Sequence, residues 1–370
     1  MKIDKFMEVI SEWGNPIPAS LCGKRKNIDL SQERFLTFIR VVDGNGKPLR
    51  ADIRIFPLEN CIYEGKIDGT DDNIGEAYRN GRMDFIRTHS NELGYATIFL
   101  KAGHYQMEAS KGSCYTIMAE CVYVNRNQTL VELKLNQFIK MNELGWHIGD
   151  IHHHSIFSSA MYNGTDPVFE TPMEVSLSME SMGLDFGALS DHHNVLNHNY
   201  WKEVRRSSFL PILSKEISTS NGHVMALNVS EDIVYNIPKE NERTDQYLRD
   251  EFIRVTKEIK RLGGLPQLNH PTDPQKAISW NQEFLDIIDI FQSIEIWNGS
   301  KPFLCNSLKR AVELWLDLLE KDIYIPATTG SDTHNTLCND YGLFYKQARG
   351  LGINIPSLFE KWAKISLGSG

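Results

Sequence analysis

A chain of 370 residues with 41% hydrophobic and 24% charged residues holds enough apolar material for one large core or two smaller ones, which excludes a single small module and a disordered chain. A formal net charge of −9 excludes a general binder of long nucleic acid, because phosphate-backbone affinity is built from clustered Lys and Arg. The charge is uneven: residues 1 to 140 hold 19 basic and 18 acidic residues, the remainder holds 20 and 30, and ten of the 12 histidines fall between His147 and His334.

Residues 1–33 read as an extension. Lys2, Asp4, Lys5 and Glu8 interrupt any apolar leader, and no later run approaches a membrane-spanning length, so a cytoplasmic location is expected, or an exported one if a leader has been removed. The six cysteines form no C-x-x-C pair; Cys114 and Cys121 can meet across a hairpin, but free thiols are the expectation.

From residue 34 to 140 the pattern predicts a small all-β sandwich. Phe35–Val42 and Leu49–Phe56 flank the turn Asp43-Gly44-Asn45-Gly46, where Asn and Gly accept positive φ. Tyr95–Leu100, Tyr105–Ser110, Tyr115–Val124 and Thr129–Leu135 continue the strand series, and the polar stretch Asp68–Arg82 reads as a loop. Tyr63, Tyr78 and Tyr95 are expected to pack rather than bind sugar.

Residues 141–370 change to apolar strands alternating with helices, which predicts a parallel α/β domain. Thr171-Pro172-Met173-Glu174 combines a capping Thr, a Pro at the first helical position and a Glu at the third. Leu248, Phe252, Val255, Ile259 and Leu262 recur at helical spacing until Gly263-Gly264. Leu184–Ser190, Leu210–Leu213, Leu265–Leu268, Ser293–Trp297 and Ile323–Thr328 are the strands, with a helix over Asn306–Glu320.

The chemistry gathers at the ends of these strands. In Gly149-Asp150-Ile151-His152-His153-His154, residues two apart face the same way, so His152 and His154 can grip one ion while His153 faces elsewhere, and Asp150 is placed to fix an imidazole tautomer. Asp191-His192-His193-Asn194 follows the next strand, and Glu216 with Gly222-His223 follows the third. Asn269-His270-Pro271 and Gly330-Ser331-Asp332-Thr333-His334 complete the series, while Glu295 reads as an edge or capping carboxylate. Imidazoles and carboxylates recurring at five strand ends point to a metal centre, and the absence of thiolate suits Mn, Zn or Fe.

In that order, His152-x-His154, Asp191-His192, Glu216 with Gly222-His223, Asn269-His270-Pro271 and Asp332-x-His334 resemble the motif series of the PHP (polymerase and histidinol phosphatase) metallohydrolases, in particular the CehA/McbA-like branch. Gly46-Lys47-Pro48-Leu49 and Lys101-Ala102-Gly103-His104-Tyr105 resemble a carboxypeptidase-regulatory-like β-sandwich. The resemblance implies a distorted (β/α)7 barrel after the sandwich. It implies one ion among His152, His154, Glu216 and Asp332, and Glu216 bridging to a second held by His223 and His270. His192 and His334 would face a third position. Members with three ions supply an Asp or His a few residues past the first motif, where this chain has Ser158, Ser159 and Ala160, so two divalent ions with a weak or substrate-dependent third are expected.

A phosphoesterase acting on a small phosphorylated molecule is the leading expectation, with a water bridging two ions about 3.5 to 4 Å apart as nucleophile. Asp191 or His192 would handle a proton at the leaving group. Lys202, Arg205, Arg206 and Lys215 read as solvated charge. The alternatives are a carboxylic ester, amide or carbamate hydrolase on the same centre, and a binding protein whose barrel holds a structural metal. No membrane or long nucleic-acid partner is expected, and the sequence leaves the oligomeric state open.

Overall fold

The computed structural model describes residues 34–58, 86–126 and 129–334, apart from 163, 165, 167, 169, 220, 237–238, 275–277 and 300–305. The extension 1–33, the loop 68–82, Tyr63 and Tyr78 lie outside the described residues. Two compact units are present: Met1–His147 with Leu177–Leu184 and Thr336–Gly370, and Ile148–Ser176 with Asp185–Asn335.

The first unit contains β1 (Arg34–Asp43), β2 (Asp52–Pro57), β3 (Ile86–His89), β4 (Tyr95–Lys101), β5 (Gly103–Ser110), β6 (Met118–Val124) and β7 (Thr129–Leu135). A three-stranded sheet has the order β4-β1-β7, and a four-stranded antiparallel sheet the order β3-β2-β5-β6. Strand β1 runs antiparallel to β4 and parallel to β7. Alternation places Ala96, Ile98 and Leu100 of β4, Tyr105, Met107 and Ala109 of β5, and Val131, Leu133 and Leu135 of β7 in one apolar cluster with Ile39, Val41, Ile53 and Ile55. Both sheets therefore share a single core. The predicted turn forms, with the Asp43 carboxylate accepting the N–H groups of Asn45 and Lys47 and Gly46 at φ +80°. Strand β6 starts later than expected, because Tyr115 makes only an isolated bridge to Gln137. Cys114 is buried, Cys121 is exposed, and both are free thiols.

The second unit contains β8 (Gly149–Asp150), β9 (Phe186–Leu189), α2 (His198–Trp201), β10 (Leu210–Thr219), β11 (Gly222–Leu227), α3 (Asp245–Arg261), β12 (Leu265–Asn269), β13 (Ser293–Asn298), α4 (Asn306–Glu320) and β14 (Ala327–Gly330). Helix α1 (Pro172–Ser181) begins within it. The capping box forms as read: Glu174 N–H reaches Thr171 Oγ1 at 3.4 Å, and Thr171 N–H reaches Glu174 Oε2 at 2.8 Å. Strands β8 to β14 make one seven-stranded sheet in sequence order. Its two ends meet, since Asp332 N–H donates to His152 O (2.9 Å) and His154 N–H to Thr333 O (3.0 Å), so the sheet is barrel-like.

The expected parallel α/β domain is interrupted at one strand. β11 is antiparallel to both β10 and β12, while the remaining neighbours are parallel. The tight β10–β11 connection is the cause, because a short hairpin can only reverse the chain. The same hairpin extends β10 to Thr219, so Glu216 lies inside a strand. β14 starts at Ala327, later than the predicted Ile323, after Pro326, which has no N–H to donate. Outside the sheet, Val224, Ala226, Leu268 and Ile294 pack against Phe252, Val255 and Ile259 of α3 and Leu314 and Leu318 of α4. On the opposite faces, Ala188, Met225 and Leu227 form a small apolar cluster, and Gln267, Asn269, Ser293 and Glu295 are buried polar residues.

Candidate metal centre

Each ligand-type side chain is delivered by the rim of the barrel. His152 and His154 follow β8, His192 follows β9, His270 follows β12, and Asp332 and His334 follow β14. His223 sits at the start of β11. Because that strand is reversed, its beginning lies beside the ends of its neighbours, paired with Ser218 and Asn269. The reversal is what allows a residue at a strand start to join the set.

Glu216 is at the centre and is 1% exposed. Its Oε1 lies 3.1 Å from His223 Nδ1 and 3.0 Å from His270 Nε2, and it accepts from Asn269 Nδ2 at 2.8 Å. Its Oε2 lies 3.3 Å from His152 Nε2, 3.4 Å from His154 Nε2 and 3.3 Å from His192 Nδ1. Asp332 Oδ1 lies 3.3 Å from His152 Nε2 and 3.1 Å from His154 Nε2. Thus all eight residues expected as ligands converge. Four overlapping groups have ligand atoms within 4.8 Å of one another: His152/His154/Glu216, His152/His270/Asp332, His192/Glu216/His223 and His154/Asp166/His192/His334.

The last group contains a residue the sequence reading passed over. Asp166 Oδ2 lies 3.2 Å from His192 Nε2 and 3.4 Å from His334 Nε2. It is a buried oxygen that makes no hydrogen bond of acceptable angle. A buried carboxylate oxygen so close to two imidazole nitrogens without bonding either suits a shared cation, and this donor set fits divalent metal. Residues 158–160, where the resemblance places an acid, carry none in this chain. Asp166 comes to face His192 and His334 because Ser159 O accepts Gly164 N–H and Ser158 O accepts Asp166 N–H, folding the loop back. Only that loop path makes Asp166 visible.

Electrostatics agree with this placement. Burial would lower the His152 imidazole, but Glu295, Asp332 and Glu216 hold it well above its usual range. Burial likewise opposes the shift at His270, which Glu216 lifts to about 9. Burial would raise Glu216, yet His152, His223 and His192 hold it well below the carboxylate range. Asp332 is also lowered against its burial, by His152, His154 and His334. The carboxylates thus compete for positive charge. Three of the five described non-glycine residues with positive φ are His193, His270 and Asp332, so backbone strain is concentrated in these motifs.

Three roles read from sequence need correction. Asp191, expected to move a proton, is fully buried and accepts from Ser155 N, Ser155 Oγ, Ser158 Oγ and Asn197 Nδ2 at 2.6 to 2.8 Å. With both oxygens engaged, it anchors the loop. Ser158 Oγ in turn contacts His154 Nδ1 at 3.1 Å and accepts His192 N–H at 3.0 Å, so the Asp191 anchor reaches two of the converging histidines. Asp150 does not fix a ring. Its short side chain folds onto the backbone N–H of His152 and Ser331, tying β8 to the loop after β14. Glu295 is no edge residue: it is fully buried and its Oε1 lies 2.9 Å from His152 Nδ1. His153 turns away as expected, with Nδ1 2.9 Å from the His154 carbonyl oxygen.

No family model and no curated protein matches the chain. Solved structures to which parts of the chain are similar include a two-domain protein from Bacteroides vulgatus containing a predicted PHP-like metal-dependent phosphoesterase, 20% identical over 54% of this chain and 55% of that one, with a TM-score of 0.35. The match therefore spans about half the length of that protein. A candidate metal-dependent phosphoesterase from Bifidobacterium adolescentis is 18% identical over 51% and 88% of the two chains, also at 0.35. An amidohydrolase from Chromobacterium violaceum with bound sulfate is 15% identical over 50% and 87%, again at 0.35.

Proposed function

We propose that the chain is a metal-dependent hydrolase of phosphoesters with the PHP-type ligand set its motifs resemble. The observation that carries this reading is the run of four overlapping ligand groups sharing His152, His154, His192 and Glu216. Adjacent cations match a substrate that presents several charged oxygens, as a phosphoryl group does and a neutral carboxylic ester does not. When bound, divalent cations supply Lewis-acid activation of water and of an ester oxygen.

The chain's own residues do the rest. Glu216 faces His223 and His270 with one oxygen and His152, His154 and His192 with the other, and so holds two parts of the centre at a fixed spacing. Asp332 completes the His152 and His154 side. Asp166, His192 and His334 with His154 form a third position, which makes three cations rather than two the better expectation for this loop arrangement. Mn, Zn or Fe suits six imidazoles and three carboxylates. His192 is read as a ligand, not as a proton carrier, because both ring nitrogens face carboxylates.

The test is elemental analysis of the purified chain, followed by a screen of small phosphomonoesters, phosphodiesters and aryl acetates with Mn, Zn or Fe added back. Metal-dependent release of phosphate without acetate hydrolysis is the expected result. Acetate hydrolysis alone would transfer the assignment to carboxylic ester chemistry, and bound metal without any turnover would favour a structural metal barrel.

A further inference from the structure

Glu295 lies on β13 and its carboxylate belongs to none of the four ligand groups. Alternation along the strand sends Ile294 and Ile296 to the apolar layer and Ser293 and Glu295 to the barrel interior. The register with β14 shifts between Glu295 and Trp297, and such an irregularity re-aims a side chain. Three contacts converge on the carboxylate. Oε1 faces His152 Nδ1 at 2.9 Å, and Oε2 accepts His270 N–H at 2.9 Å and Asn298 Nδ2 at 3.0 Å. The same Asn298 amide reaches Asp332 Oδ2 at 3.2 Å. A Cβ on Gly330 would overlap both Glu295 Oε1 and His152, so only glycine at this position lets that pair close.

We propose that Glu295 is the positioning residue for one half of the metal centre, setting His152 and His270 directly and Asp332 through Asn298. With Nδ1 donating to Glu295, His152 directs the Nε2 lone pair towards Glu216 and Asp332. The His270 N–H bond holds a backbone at φ +25°, which the chain does not adopt without support. The half built on Asp166, His192 and His334 has its own anchor in Asp191 and Ser158, so Glu295 serves the other half selectively.

This inference rests on the reading that the centre binds divalent cations. Its test compares Mn and Zn affinity of the full chain with E295Q, N298A and the control I294V, by competition with a chromogenic chelator, alongside thermal midpoints. Gln keeps size but not chemistry: its amide presents a donor to one of three donors. E295Q is expected to bind ~10- to 100-fold more weakly, and N298A near the lower end of that range, as for other partners that orient metal ligands. I294V removes a methyl group from the apolar face of the same strand and should lower the midpoint with unchanged affinity. E295Q affinity within twofold of the parent, or an I294V affinity loss equal to that of E295Q, would overturn the proposal alone. A parent that binds no cation would overturn the functional reading and this one with it.

Discussion

The first unit buries Ile39, Ile53, Ile55, Met107, Leu133 and Leu135 between its sheets, whereas the second fills the rim of its barrel with imidazoles and carboxylates. Each unit also buries charge, and the manner differs. In the first, Asp52 pairs with Arg87 at 2.6 Å and with Arg54 at 3.2 Å, so the protein supplies its own counter-charge. Burial would raise the Asp52 pKa, but Arg87 leads the groups that hold it below the usual range. In the second, Glu216 and Asp332 face imidazoles instead of guanidinium groups, and under the proposed function those imidazoles would bind as neutral ligands, so that the carboxylates would be offset by the bound cations. Guanidinium groups stay charged at any working pH, whereas imidazoles can give up their protons, so only the second arrangement can exchange its counter-charge.

The comparison breaks most sharply at the centre itself. Asp332→Ala removes a carboxylate shared by two imidazoles, so the loss in metal affinity should exceed the ~100-fold upper range seen for partners one step removed, and metal-dependent hydrolysis should vanish. Elemental analysis and phosphate release check this; retained metal would sink the proposed centre. The matching change in the first unit is Leu133→Ala, which opens a cavity in a fully buried position and should cost ~2 to 5 kcal/mol of stability. Denaturant unfolding measures that cost, and the metal content should not change.

Acid sharpens the contrast. Burial, with Arg87 and Arg50, lowers the His89 imidazole to about 4 against the pull of Asp52, so the folded state binds fewer protons than the unfolded chain. Its contribution is complete above the unfolded pKa near 6.5 and is lost as pH falls from there towards 4, by up to ~3 kcal/mol. Unfolding midpoints at pH 7, 5.5 and 4.5 should show this slope with or without added metal, and His89→Asn should flatten it. An unchanged slope in that variant would remove His89 as its source. The smallest effect concerns a helix end: Thr171→Ala removes a capping oxygen and should cost ~1 kcal/mol, visible in thermal unfolding with no change in metal affinity.

The eight residues expected to converge were legible because each stands in a short motif, and for His152, His154, His192, His270, Asp332 and His334 that motif follows a strand whose end the parallel pairing brings to one rim, whereas Glu216 lies inside β10 and His223 opens the reversed β11. The strands of the first unit were legible from alternation, as Ala96, Ile98 and Leu100 illustrate. Asp166, Glu295 and Asp191 were misread or missed for a common reason. Their tasks depend on which atom of a distant residue they meet: Glu295 meets His152 across 143 positions, and Asp166 reaches His334 only after the loop folds back at Gly164.

Local pattern by itself determined the strands, the capped helix and the chemical type of the centre, since periodicity of two, a Thr-Pro-x-Glu start and clustered imidazoles act over a few residues. Tertiary structure alone decided the reversal of β11, the closure of β8 onto the segment after β14, and which buried carboxylates face the imidazoles and which tie down the loops around them. The physical reason is which donors each buried carboxylate meets: Glu216 and Asp332 meet imidazole nitrogens, whereas Asp191 meets the Ser155, Ser158 and Asn197 groups that hold the loop. Asp191 and Glu295 are satisfied by donors, while Asp166 retains an oxygen that is not.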